Sequence, residues 1–179
     1  MELVQLFPAS ESHHHANPGG LLVHLFETLN HALSARQGQI LPKGAQPEDI
    51  TKHQHRWTYA VFLASLLHDI GKPIADLKVM AYADASGKAW LWSPLAGTLL
   101  DCGASHYTVA FRDKRDYVLH EKLPVSLLQN LVPQHALQWL SQDAGLLTEL
   151  MAYLSRDRDK GAADKPISAI EEIVTRADQ

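Results

Sequence analysis

The stretch Phe62-Leu63-Ala64-Ser65-Leu66-Leu67-His68-Asp69-Ile70-Gly71-Lys72 decides how the chain is read. An apolar run ends on an adjacent imidazole and carboxylate, followed by a glycine and a lysine. Working outward, Trp57, Val61, Ala64, Leu67 and Ile70 recur at helical spacing from Thr51, which predicts a long helix over 51–70 with this face in the core. Gly71 is expected as its C-terminal cap and Pro73 as its breaker. A pair such as His68-Asp69 at the end of a buried helix offers one nitrogen and one oxygen ligand side by side. That suits a divalent cation that accepts mixed donors. It would also offset the penalty of an isolated buried carboxylate. The plainer alternative is that His68 caps a helix C-terminus and Asp69 pairs with Lys72.

The flanking sequence is mostly helical too. Residues 1–20, with Pro8, Pro18, Gly19 and Gly20, read as an irregular lead-in. Leu21, Leu22, Leu25, Leu29 and Leu33 then predict a helix over 21–36, and 38–47 is a loop. Over 77–92, Val79, Ala81 and Ala83 alternate with polar or larger neighbours. Ser86-Gly87 is a turn signal before Ala89-Trp90-Leu91-Trp92, so a small β-hairpin is expected. Residues 94–113 show no decisive pattern. Helices follow over 116–131 despite Pro124, in a short segment from Pro133, and over 144–154. A charged loop spans 156–165. Pro166 then opens a last helix with the stripe Ile167, Ile170, Ile173, Val174 and Ala177. Six or seven helices and one hairpin make a mainly α fold, a helical bundle with a small β-hairpin insertion, in a single domain over residues 1–179. The chain ends on the last helix at Gln179, so the natural protein is expected to be longer.

Composition narrows the function classes. The 179 residues carry 16 Lys and Arg against 20 Asp and Glu, a net charge of −4, which argues against holding nucleic acid by bulk charge. Local basic clusters remain: Arg112, Lys114, Arg115 and Lys122, then Arg156, Arg158, Lys160 and Lys165, both interspersed with acids. Such runs are usually solvated faces. Trp90, Trp92 and Tyr107 could stack bases, but aromatics at such spacing are more often packing anchors. A single cysteine, Cys102, excludes a disulfide scaffold and a multi-cysteine zinc ribbon. No apolar run is long enough for a membrane span. The opening MELVQLFPASES lacks the basic and apolar regions of a signal peptide. A cytoplasmic location is expected.

The eleven histidines are the compositional outlier. His24 lies on the leucine-rich first helix, where a lone His is more often a satisfied core residue than a ligand. Asp178 lies on the last turn of the last helix, where the helix dipole disfavours an acid unless a cation is present. An exposed acid near the chain end is the bland alternative. His53 and His55 lie more than three turns from His68 and are expected at the surface; His31 is expected to pack in the core. His13-His14-His15 stands in an irregular segment, so its three rings point in different directions and cannot all bind one ion without strain. One or two of them are expected at the mouth of a site, touching phosphate or a second metal.

The series His24, His68-Asp69 and Asp178, with HDIGK at 68–72 and I-x-x-I-V-x-x-A-D at the end, resembles the HD-domain metal-dependent phosphohydrolases. More narrowly, PASESHHHANPGGLLVH (Pro8 to His24) resembles the TraI-type domain of MobH-class conjugative relaxases. Trp90 to Gly97, Arg115 to His120 and Trp139-Leu140 fit the same pattern. The resemblance implies an HD-domain helical bundle in which His24, His68, Asp69 and Asp178 ligate one metal. It makes His120 the best candidate for a second ion, with His106 and His135 weaker. The H-H-E and G-Y-P signatures of the HD-GYP variant are missing, which weakens cyclic dinucleotide hydrolysis.

The function so implied is a metal-dependent phosphodiesterase that nicks DNA at an origin of transfer by metal-activated water. Asp69 would orient that water and Lys72 would neutralise charge on a phosphate oxygen or assist the leaving group; His13, His14, His15 and Arg115 would contact phosphate. The cofactor would be one or two divalent ions (Mn, Fe, Ni, Zn or Mg), since the ligands are nitrogen and oxygen without thiolate. The partners would be origin-of-transfer DNA and other conjugation proteins, with no membrane. The five tyrosines lack the paired arrangement and the His-rich motif of tyrosine relaxases, which favours water over a tyrosyl intermediate. The alternatives are a general HD nucleotide phosphohydrolase and a non-catalytic DNA- or protein-docking module.

Overall fold

The computed structural model describes residues 4, 6–12, 14–84, 88–114, 117–156 and 167–179, without the side chains of 117–120. The chain forms two compact units. One comprises Met1–His24 and Asp69–His120, the other Leu25–His68 and Glu121–Gln179. Among the described residues the helices are α1 (Gly20–Gln37), α2 (Pro47–Leu67), α3 (Lys72–Ala75), α4 (Tyr117–Leu131), α5 (Gln134–Ser141), α6 (Ala144–Leu154) and α7 (Ala169–Ala177). The strands are β1 (Leu77–Tyr82), β2 (Ala89–Leu91) and β3 (His106–Phe111). The protein is mainly helical with a small β insertion, as the periodicity predicts. None of the described helices is long and apolar enough to cross a membrane.

The first unit is built on the sheet. The expected hairpin is present, with Ala81 opposite Trp90, but the sheet has a third antiparallel strand and the order β2-β1-β3. β3 comes from the stretch that had no decisive pattern. Its Tyr107, Val109 and Phe111 alternate along the strand and stand opposite Ala81, Val79 and Leu77, so period-two residues of both strands share a face. Leu77, Val79 and Ala81 are buried while Lys78 is exposed. Phe7, from the lead-in, packs edge-on against Tyr107 and tilted against Trp92, with centroids 5.9 and 5.3 Å apart. The Trp92 indole N–H donates to the Gly97 carbonyl, and the Tyr107 hydroxyl donates to the Leu6 carbonyl. Trp92 and Tyr107 are therefore packing anchors. Burial also raises the Tyr107 phenol above its ordinary pKa.

The second unit is a helical bundle centred on α2, which packs against α5, α6 and α7. Its core is Trp57, Val61, Leu63, Ala64 and Leu67 of α2, Ala136 and Leu140 of α5, Leu146, Leu150 and Leu154 of α6, and Ile170, Ile173 and Val174 of α7. These are the three- and four-residue stripes that bury one face of each helix. Side chains cap the starts of α6 and α7. Asp143 accepts from the Leu146 N–H with one oxygen and holds His53 Nδ1 at 2.8 Å with the other. Ser168 Oγ accepts from the Glu171 N–H, and the Glu149 carboxylate accepts from the Ile170 N–H. Ser168→Ala is expected to cost about 1 kcal/mol. This would be read as a lower urea midpoint at unchanged slope.

Several local expectations are corrected. α2 begins at Pro47, with Pro in its first turn, and stops at Leu67 rather than Ile70. Gly71 is no left-handed cap: it sits at φ −78°, ψ −17° and leads into α3, where Pro73 occupies the first turn instead of breaking a helix. His31 is exposed rather than in the core, because the buried face of α1 runs through Leu21, Leu25, Leu29 and Ala32. His53 is half-buried against Asp143, while His55 is exposed as expected. Ile167 is exposed and precedes α7 instead of belonging to its stripe.

Candidate metal centre

In the helical unit, α2 and α7 bring their C-terminal ends together. His68 is the residue that caps α2, and Asp178 caps α7. Burial of Ile170, Ile173 and Val174 sets the roll of α7 on α2, so that His68 Nε2 and Asp178 Oδ1 stand 3.2 Å apart. The other ring nitrogen, His68 Nδ1, lies 2.7 Å from the Ser65 carbonyl. A carbonyl only accepts, so Nδ1 carries the hydrogen. In the neutral ring, Nε2 then presents a lone pair toward a carboxylate oxygen. Two acceptors face each other at the negative ends of two helix dipoles, an arrangement that a cation stabilises. His68 is buried, and its Nε2–Asp178 contact opens onto a cavity of about 430 Å³ lined by Glu121, Tyr153, Arg156, Glu171 and Thr175 as well.

The sheet unit holds a second imidazole–carboxylate pair. His24 Nε2 lies 3.3 Å from Asp69 Oδ2, and the same oxygen lies 2.5 Å from Lys72 Nζ. Asp69 is buried. Lys72 also donates to the Ala9 carbonyl at 3.2 Å, so it ties the lead-in to Asp69. The ammonium sits on a carboxylate oxygen and marks a position where positive charge is favoured. The lead-in reaches the same pair through His15, whose ring centroid is 5.8 Å from that of His24. That turn depends on Gly20. A Cβ there would fall 1.9 Å from the His15 carbonyl oxygen.

Of the candidates singled out in the sequence, the structure pairs His24 with Asp69 and His68 with Asp178. His24, His68 and Asp178 each offer a ligand atom of the kind that could hold a metal ion. His14 is exposed. His106 is exposed on β3, stacked on Tyr82, and His135 is exposed on α5. His13, Arg115 and the side chain of His120 lie outside the described residues, as do Arg158, Lys160 and Lys165. Sequence reasoning named Ser65 in no role, yet its carbonyl orients His68. It also placed Arg156 in a charge run without seeing that it lines the cavity.

Fold and site together define a mainly helical domain carrying two imidazole–carboxylate pairs, one in each unit. The entire chain, residues 1–179, matches the model of the TraI_2 family, whose description reads "Putative helicase". The chain belongs to this family and is thereby a conjugation-associated domain. No curated protein matches it.

Proposed function

We propose that residues 1–179 form an HD-type domain of a conjugative relaxase, a metal-dependent phosphodiesterase that nicks DNA at an origin of transfer. The observation that carries this reading is the facing of His68 Nε2 and Asp178 Oδ1 at 3.2 Å, with His68 Nδ1 turned onto the Ser65 carbonyl. The residues present fit a divalent ion: two imidazoles and two carboxylates form a mixed nitrogen and oxygen donor set. His24, His68, Asp69 and Asp178 would be its ligands. His120 would serve a second ion.

When bound, such an ion supplies Lewis acidity, acidifying water and polarising a phosphoryl oxygen. The chain's own groups do the rest. Asp69 would orient the attacking water. Lys72, released from Asp69, would neutralise charge on a phosphate oxygen or assist departure of the leaving oxygen as its bond to phosphorus breaks. The Ser65 carbonyl keeps His68 in one tautomer. One or two of His13, His14 and His15, together with Arg115, would contact phosphate. The partners on this reading are origin DNA and other conjugation proteins, in the cytoplasm.

The test is a nicking assay on origin DNA with Mn²⁺, comparing the wild-type chain with His68→Ala. Loss of nicking in the variant supports the reading, and equal activity overturns it. A second expectation concerns Lys72. Removing an ammonium that shares Asp69 Oδ2 lowers the competition for that oxygen. Lys72→Met is therefore expected to bind Mn²⁺ up to about tenfold more tightly, a factor that corresponds to roughly 1.4 kcal/mol. Calorimetric titration reads this directly, and weaker binding in the variant would contradict it.

A further inference from the structure

We infer that Arg156 anchors the substrate phosphate of a nucleotide-sized phosphoester in the cavity it lines, an inference that rests on the metal reading above. The cavity lies in the helical unit, and the facing pair His68 and Asp178 forms part of its wall. Among the described residues that line it, Arg156 is the one fixed cation, against the carboxylates of Glu121, Glu171 and Asp178. An anion entering such a wall is repelled unless positive charge meets it. A guanidinium supplies five donors in a fork that matches phosphate oxygens.

The backbone at Arg156 is also unusual. It follows the Ser155 cap of α6 and stands at φ 47°, with its N–H donating to the Tyr153 carbonyl. Few side chains other than Asn and Asp occupy this region, and such positions are strained. A glycine would fill the turn with less strain, yet the position carries an arginine whose side chain borders the cavity. Thr175 adds a hydroxyl and Tyr153 a ring that can stack on a base.

A volume of about 430 Å³ lies in the range of small-molecule sites, so the cavity has room for a phosphoester of the size of one nucleotide unit.

The experiment measures binding of thymidine 5′-monophosphate to the whole chain loaded with Mn²⁺, by calorimetry. Thymidine, which lacks the phosphate, is expected to bind at least about tenfold more weakly. Arg156→Gln is expected to lower the affinity for the monophosphate about 10- to 100-fold, the effect of losing charge-assisted hydrogen bonds. Mn²⁺ affinity should be retained or raised in that variant. Arg156→Lys should recover part of the loss. Arg156→Gly should melt no lower than wild type yet bind like Arg156→Gln, which a purely structural role would not produce. Equal monophosphate affinity in wild type and Arg156→Gln, with Mn²⁺ bound to both, overturns this inference alone. Failure of wild type to bind Mn²⁺ overturns the metal reading and this inference with it.

Discussion

Asp69→Ala is expected to reduce bound Mn²⁺ to background and to slow nicking by more than about a hundredfold, since loss of even an outer partner of a metal ligand costs 10- to 100-fold. Asp69 has two roles in the proposed site, binding the ion and orienting the water. Its Oδ2 is 3.3 Å from His24 Nε2 and 2.5 Å from Lys72 Nζ. Removing it deletes a ligand and leaves two nitrogen groups without the carboxylate they share. Elemental analysis of dialysed protein and the nicking assay read the two effects separately. Because Asp69 is buried, the alanine variant also loses packing. Asp69→Asn keeps the shape and removes the charge, so it distinguishes a folding defect from a metal defect. A folded Asp69→Asn that retains both Mn²⁺ and nicking contradicts the assignment.

Gly20→Ala is expected to destabilise the protein by about 1–3 kcal/mol, in the range of overpacked sites. It should also open the lead-in over residues 8–19 to proteolysis. The added Cβ would meet the His15 carbonyl oxygen at 1.9 Å and its carbon at 2.6 Å, both backbone atoms that cannot swing aside. That carbonyl is held by the Ala9 N–H at 2.9 Å, and the Ala9 carbonyl is held by Lys72. Relief of the clash therefore pulls on the segment that reaches Asp69, and Mn²⁺ affinity should fall along with stability. Gly38→Ala is the control. A Cβ there meets the Ala35 carbonyl oxygen at 3.6 Å, an ordinary contact, so the change should stay within about 0.5 kcal/mol. Equal melting temperatures and equal cleavage patterns in the two variants would refute the argument.

Legibility in the sequence followed the range of the interaction. Helices with one continuous apolar stripe were readable, because the period is local and the buried face of α6 or α7 repeats every three or four residues. The third strand was not. Tyr107, Val109 and Phe111 alternate, but six residues of alternation become a strand only when β1 offers its edge. The end of α2 was missed for a related reason. The apolar run continues through Ile70, so periodicity carries the helix past His68, while the structure turns there and buries Ile70 outside it.

The site divides in the same way. The sequence by itself determined that an imidazole and a carboxylate adjoin at 68 and 69, that His24 and Asp178 lie on helices with apolar faces, and that the Pro8 to His24 string marks a particular family. Covalent neighbours and local periods need no fold to be seen. The pairing of Asp69 with Lys72, already a reading of the sequence, and the Ser65 carbonyl on His68 are contacts three residues apart. Only the tertiary structure decided that His68 meets Asp178 while Asp69 meets His24, and that Arg156 borders the cavity. Those choices depend on how far each helix rolls when its stripe is buried against others. That roll is set by side chains distant in the chain, so no window of sequence around a residue contains it.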